Sequence, residues 1–386
     1  MLARRVAALA GIGLDRVAAA AGADPDVLRL ENLDTDIPVP EIALAETRRA
    51  VGDDDCNSWL PLTGRIELRR AVARRLKTQS GVTYDPGSEI VITCGGMEGL
   101  LNALLAIVDG GREVVMTDPT YAGMINRVRL VGAKPVFVPF RAVGAEWRLD
   151  LDRLADAVSG DTAALFIMNP SMPSGAVLDA AEWEAIAALC RQHDLWLIYN
   201  AAMEKILYDN RPYLHPASLD GMAERTITVG SASKEFRMIG WKVGWVAGPP
   251  EVMEAIGTVH VYNTADPVSI AQTAVAAVLE ASDGETGVAA AVAEWQQRRD
   301  LIVEELAGFS IVPAAGGWSM LLDVGERGFG SLAASERLLE RGRVAATYMR
   351  DWGDENSDQF VRLVFSNEPV ARLRGLGERV RTALAT

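Results

Sequence analysis

Seven near-continuous apolar runs recur through the middle of the chain: EIVITCG (89–95), EVVMTDP (113–119), KPVFVPF (134–140), AALFIMNP (163–170), LWLIYN (195–200), TITVGSAS (226–233) and VGWVAGP (243–249). Stretches with apolar residues at helical spacing separate most of them, among them GLLNALLAIV, AGMINRVRLVG and AAEWEAIAALCRQH. Strands without in–out alternation are covered on both faces. Their alternation with helices predicts an α/β fold built on a mostly parallel seven-stranded sheet. In open sheets of this kind ligands lie beyond the carboxyl ends of the strands. Cys94–Gly96, Asp118–Tyr121, Asn169–Gly175, Asn200 and Ser231–Lys234 are therefore expected to converge on one site.

From about residue 280 the pattern changes. VAAAVAEWQQRRDLIVEELAG predicts a long helix, and SIVPA, GWSMLLDV and QFVRLVFS predict short strands. Residues 51–280 are read as a large domain and 281–386 as a small α+β domain, with 1–50 an N-terminal arm that packs partly with the small one. The opening MLARRVAALAGIGLDRVAAAAG is read as an amphipathic arm helix, because Asp15 and Arg16 interrupt its apolar stretch. A secretory signal is the minority reading.

Composition narrows the function. The formal net charge is −14 over 386 residues. That argues against a nucleic-acid or anionic-membrane surface, which needs clustered Lys and Arg. Three scattered cysteines, three histidines and no CxxC argue against a disulfide framework or a zinc site, and a reducing, cytoplasmic setting fits. No apolar run reaches membrane-spanning length.

The candidate chemistry lies in SASKEFRMIGWKVGW, Ser231 to Trp245. A lysine after a strand is usually a solvated surface residue. Here Ser231, Ala232 and Ser233 are small enough to let the backbone approach a ligand, and the hydroxyls can bind anionic oxygens. A lysine amine at an apolar sheet end is a natural Schiff-base nucleophile, because desolvation lowers its pKa. The stretch resembles the S-x-S-K-x-x-x-x-x-G-x-R-x-G motif of the class I/II aminotransferases, the fold-type-I enzymes of pyridoxal phosphate (PLP). Other segments resemble that family in order along the chain: NSWLPLTGRIELRRAVA, ITCGGMEGLLNAL, TDPTYAG, NPSMPSG, YNAAMEKILYD and FVRLVF. Ordered matches weigh far more than any single motif.

The resemblance implies a fold-type-I PLP enzyme acting on an amino acid, an aminotransferase first of all, with a 2-oxo acid as acceptor. It implies that Lys234 holds PLP as an aldimine and shuttles a proton, and that Gly95, Gly96 and Met97 cup the phosphate at a helix start with Ser231, Ser233 and Lys242. Tyr121 would stack on the pyridine ring, and Arg362 would clamp the substrate carboxylate. Family members usually share sites across a homodimer. Trp59 and the segment Val261–Gln272, with Thr264, would then serve the partner's phosphate. That segment holds no arginine, which argues against aspartate or glutamate as main substrate. Asp34 and Asp36 are candidates to meet a cationic side chain.

The chain also departs from the family pattern. Lys242 stands at the family's phosphate arginine, Met172 at an asparagine and Met203 at a tyrosine that both donate to the cofactor's phenolic oxygen. Asn200 stands at the aspartate that ion-pairs with the pyridine nitrogen, Trp59 at the tyrosine that reaches the neighbouring phosphate, and Leu33 near the usual N-terminal glycine. Three readings follow: a transaminase with a weak electron sink, a PLP enzyme of another reaction such as racemisation, elimination or cyclisation, and a non-catalytic homologue.

Overall fold

In the computed structural model, which describes residues 3–385 apart from 8, 10, 12 and 355, all seven apolar runs are strands of one sheet. In chain order they are β1 (Ile90–Thr93), β2 (Glu113–Asp118) and β3 (Lys134–Val143), then, after a short β4 (Glu146–Leu149), β5 (Thr162–Met168), β6 (Trp196–Asn200), β7 (Thr226–Ser231) and β8 (Gly244–Ala247). The order across the sheet is β1-β8-β7-β6-β5-β2-β3-β4. The eighth strand, β4, extends the edge as a hairpin on β3, turning at Gly144, whose φ of 60° suits a residue without Cβ. Only Trp147 and Leu149 of β4 face inward.

β2, β3, β5, β6 and β7 pair in parallel, whereas β8 runs against both neighbours, β7 and β1. This reversal sets Gly244 beside Ser231 on one side and Thr93 on the other. The chain entering β8 therefore stands at the same sheet edge as the chain leaving β1 and β7. Gly244 has no room for a side chain, since a Cβ there would lie 2.5 Å from the Gly96 nitrogen.

The longer helices before the C-terminal sheet are α1 (Glu41–Val51), α2 (Ile66–Ser80), α3 (Gly96–Ile107), α4 (Ala122–Leu130), α5 (Ala180–Gln192), α6 (Pro250–Asn263), α7 (Ser269–Glu280) and the expected long α8 (Val288–Glu305). An antiparallel sheet follows, of β9 (Ser319–Asp323), β10 (Thr347–Tyr348) and β11 (Phe360–Val364), in the order β9-β11-β10. SIVPA makes one isolated bridge, Ile311 to Leu322, rather than a strand. Pro313 within it has no N–H to give a ladder.

The N-terminal segment is divided. Leu28–Arg29 pairs in parallel with Val344–Ala345, and the Val364 N–H donates to the Leu30 carbonyl at 2.7 Å, so this part joins the C-terminal region. α1 packs instead on α7. The expected arm helix is two short helices, Arg4–Ala7 and Leu14–Ala21, the second starting after Gly13 at φ 73°. Met1, Leu2, Ala8, Ala10 and Ile12 of that stretch lie outside the described residues. One apolar core runs from Leu28 to Leu384 through both regions, so the C-terminal sheet and the large sheet hold each other in place. No described helix is long and apolar enough to cross a membrane.

Candidate active site

A cavity of about 190 Å³ opens beyond the strand ends of the large sheet. Gly95, Gly96, Met97, Tyr121, Met172, Asn200, Met203, Ser231, Ser233, Lys234 and Lys242 all line it. The convergence expected from the strand ends is thus present. Two expected residues are not in the lining. Trp59 is 77% exposed, in the loop before α2. Arg362 is fully buried, behind Met172.

The chain between β7 and β8, residues 232–243, carries both lysines. The Lys234 ammonium is half-buried. It donates to the Leu33 carbonyl at 2.8 Å and lies 4.7 Å from the centre of the Trp318 ring. Burial first, then the nearby cations Arg362 and Lys242, push it down to about 8, against a pull upward from Asp34. A fraction of the amine is therefore neutral and nucleophilic at ordinary pH.

α3 begins at the cavity wall. Gly95 precedes it at φ 77°, and its N–H donates to the Thr93 carbonyl at 2.8 Å. The first-turn N–H groups of Gly96 and Met97 head the helix. A Cβ built on Gly95 would lie 3.4 Å from the Lys242 Nζ, so a cation stands directly over the helix start. Ser231 Oγ donates to Ser233 Oγ at 3.0 Å and accepts from the Ser233 N–H at 3.2 Å. Helix N–H groups, two hydroxyls and an ammonium in one corner form an anion site.

Much of the remaining lining is apolar. Met97, Met168, Met172 and Met203 form it, with Leu33, Leu100, Ala202 and Ile239. Tyr121 packs edge-on to Trp352, ring centres 6.4 Å apart, and burial pushes its hydroxyl pKa up. At the end of β6, Asn200 accepts the Ala202 N–H on Oδ1 at 3.1 Å.

Arg362, on β11, donates through Nη2 to the Glu31 carbonyl at 2.9 Å and to Thr347 Oγ1 at 3.1 Å. Its Nη1 lies 3.9 Å from the Met172 sulfur, and its Nε is buried without a partner among the described residues. The Trp352 ring lies 4.7 Å from the guanidinium carbon. Burial pushes Arg362 down to about 10. Its donors are thus only partly satisfied. Asp36 is unavailable to a substrate cation, because Arg298 holds both its oxygens, at 2.7 and 3.2 Å.

Behind the cavity, Arg75 of α2 reaches Glu235 at 2.7 Å and Glu204 at 3.3 Å. The Tyr213 hydroxyl also donates to Glu204. Glu204 follows Met203 and Glu235 follows Lys234, so one arginine ties together two loops of the site. The sequence reading missed this triad, because its members are far apart in the chain. It also missed Met168, Trp318 and Ile239, whose apolar side chains read only as core.

The family model for aminotransferase class I and II matches residues 29–378. An aspartate aminotransferase of Pyrococcus abyssi is 33% identical over 88% of this chain and 87% of its own. A probable N-succinyldiaminopimelate aminotransferase of Mycobacterium tuberculosis is 34% identical over 84% and 86%. The solved structure of N-succinyldiaminopimelate aminotransferase from M. tuberculosis superposes at a TM-score of 0.92 with 31% identity, covering both chains fully. Aspartate aminotransferase from Thermus thermophilus with maleate gives 0.92 with 30% identity, over 99% of each chain.

Members of this family use PLP. The chain's residues fit its phosphate and its carbonyl carbon: the anion corner suits the one and the half-buried, partly neutral Lys234 the other. Met172, Asn200 and Met203 add no charge to the lining. The matched model, the relatives and the shared fold agree: this chain belongs to the class I and II aminotransferases, the PLP-dependent enzymes of fold type I.

Proposed function

We propose that the protein moves the amino group of a monocarboxylic amino acid to a 2-oxo acid, with Lys234 as the catalytic residue. The observation that carries this is the half-buried Lys234 amine, pushed down to about 8, in a cavity that also holds an anion site. Gly96, Met97, Ser231, Ser233 and Lys242 hold the phosphate, and Gly95 contributes its left-handed backbone. When bound, PLP supplies the carbonyl that condenses with amines and an electron-withdrawing ring. Lys234 Nζ would hold that carbonyl carbon and would carry a proton to and from the substrate Cα. Tyr121 and the methionines exclude water from the ring faces. Arg362 orients the substrate carboxylate through its unmatched donors.

The substrate class rests on two absences of charge. The segment Val261–Gln272 contains no arginine to meet a second carboxylate, and methionine and leucine dominate the cavity walls. The working unit in this reading is a cytoplasmic homodimer. Trp59, Tyr262 and Val268 are large apolar residues left exposed, which a second copy would cover, bringing Trp59 to its neighbour's site.

The test has two parts. Reduction with borohydride after loading with PLP should fix a pyridoxyl group on Lys234, found by peptide mass analysis. A panel of amino acids should then convert bound PLP to pyridoxamine phosphate, fastest with apolar monocarboxylic donors. A label on another lysine, or a protein that stays colourless with PLP, overturns the reading. A second reading, PLP chemistry other than transamination, is favoured by the neutral Asn200 and is supported instead if Cα protons exchange without pyridoxamine phosphate forming.

A further inference from the structure

One wall of the cavity carries a neutral amide, Asn200, whose orientation the fold fixes. Asn200 ends β6, one strand over from β7, whose end carries Ser231 and Lys234. Its Oδ1 accepts the Ala202 N–H at 3.1 Å. Only the oxygen can accept from an N–H, so this bond decides which way the amide faces. The two ends of the amide point apart, and Nδ2 is left as a donor at the cavity wall. Among the described residues no protein acceptor takes its hydrogens.

The surroundings reinforce this. Two ammonium groups, Lys234 and Lys242, and the Tyr121 hydroxyl are the titratable groups of the lining, and no carboxylate is among the described lining residues. Arg362 stands behind Met172. Of the nearby acids, Asp34 acts on Lys234, and the buried ones face other groups. Glu98 is bonded to His260, Asn102 and the Cys94 N–H, Glu204 to Arg75 and Tyr213, and Asp118 lies against Gly353. The thioethers of Met168, Met172 and Met203 add polarizable but apolar wall. A hydrogen bond to the neutral form, nearby like charge and an apolar wall each disfavour protonation of a ring nitrogen.

We infer that Asn200 donates its Nδ2–H to the pyridine nitrogen of bound PLP and so keeps that nitrogen unprotonated at neutral pH. This rests on the PLP-binding reading above. Asn200 is then a positioning residue that sets the electronic state of the cofactor. An aspartate there would hold the same nitrogen as a cation. The site thus trades electron-withdrawing power for a cofactor that carries one positive charge fewer beside two lysines.

The test uses full-length protein loaded with PLP carrying nitrogen-15 in the ring. The nitrogen resonance of the parent should lie in the unprotonated range and hold still as pH is varied through neutrality. That of Asn200→Asp should move to the protonated range. The parent signal alone decides the matter should the variant fold poorly. A loaded parent with a protonated ring nitrogen overturns this inference while leaving the PLP reading intact. An unchanged signal in a folded, loaded Asn200→Asp overturns it too, since Asn200 would not face the nitrogen. A parent that takes up no PLP overturns the reading beneath it, and the inference with it.

Discussion

The Arg362 Nη1 rests 3.9 Å from the Met172 sulfur, a weak acceptor, while Nη2 is doubly matched by the Glu31 carbonyl and Thr347. One arm of the guanidinium is thus anchored, and the other makes only this weak contact. Arg362→Ala should weaken amino-acid binding by roughly 30-fold or more, from a charge pair of about 2–5 kcal/mol. PLP binding should change little. Titrations of the loaded and unloaded protein separate the two, and equal losses would give Arg362 a framework role instead.

Lys234 should cost the unloaded protein stability. Folding takes its pKa from 10.5 down to about 8, so between those values the unfolded chain binds more protons. The penalty is full below about pH 8 and fades as pH rises to 10.5, and it is on the order of 3 kcal/mol at most. Lys234→Met should therefore be more stable than the parent at pH 7, by less at pH 10. Urea unfolding at the two pH values checks both the sign and the trend, and a constant difference would show that burial of charge is not the cause.

The Lys242 Nζ, over the start of α3, should matter only to the phosphate. Lys242→Ala should raise the PLP dissociation constant about tenfold, from loss of a charge-assisted bond, and leave the affinity for pyridoxal, which lacks the phosphate, unchanged. Lys242→Arg should hold PLP at least as well, since its fork can bind two oxygens. Fluorescence titration with both ligands reads the contrast, and parallel losses would place Lys242 elsewhere in the site.

Arg75→Ala should strand two buried carboxylates. Removing one partner of a buried ion pair costs about 3–5 kcal/mol. Burial already pushes the Glu235 carboxyl up, opposed mainly by Arg75. Without the arginine Glu235 would be raised further, so the folded chain would take up protons as pH falls. The deficit against the parent should be larger at pH 7 than at pH 5, measured by urea unfolding. A deficit independent of pH would mean that lost packing rather than charge explains it.

The strands of the large sheet were legible because each is buried on both faces, which leaves an unbroken apolar run. β4 was not, since four residues with only Trp147 and Leu149 inward give too short an alternation. The direction of β8 was hidden as well. Apolar content is the same for either sense, and the reversal follows from the short chain joining β7 to β8. The site glycines, lysines and Asn200 were readable as an ordered pattern. The methionine wall was not, because Met168 within FIM reads as core whether or not it faces a cavity. The Arg75 triad spans α2 and two later loops, and no local pattern joins them.

The reversed strand has one more consequence. Because β8 returns beside β7, the single excursion 232–243 leaves the sheet and re-enters it next door, bearing both the Lys234 amine and the Lys242 cation. Two cations are thus carried on one excursion, clamped at both ends by Ser231 opposite Gly244. Its chemistry can drift by point substitution, as at Lys242, but its length cannot. An added or lost residue there would shift one lysine against the other, whereas the same change at the Gly144 turn would stay at the far edge of the sheet.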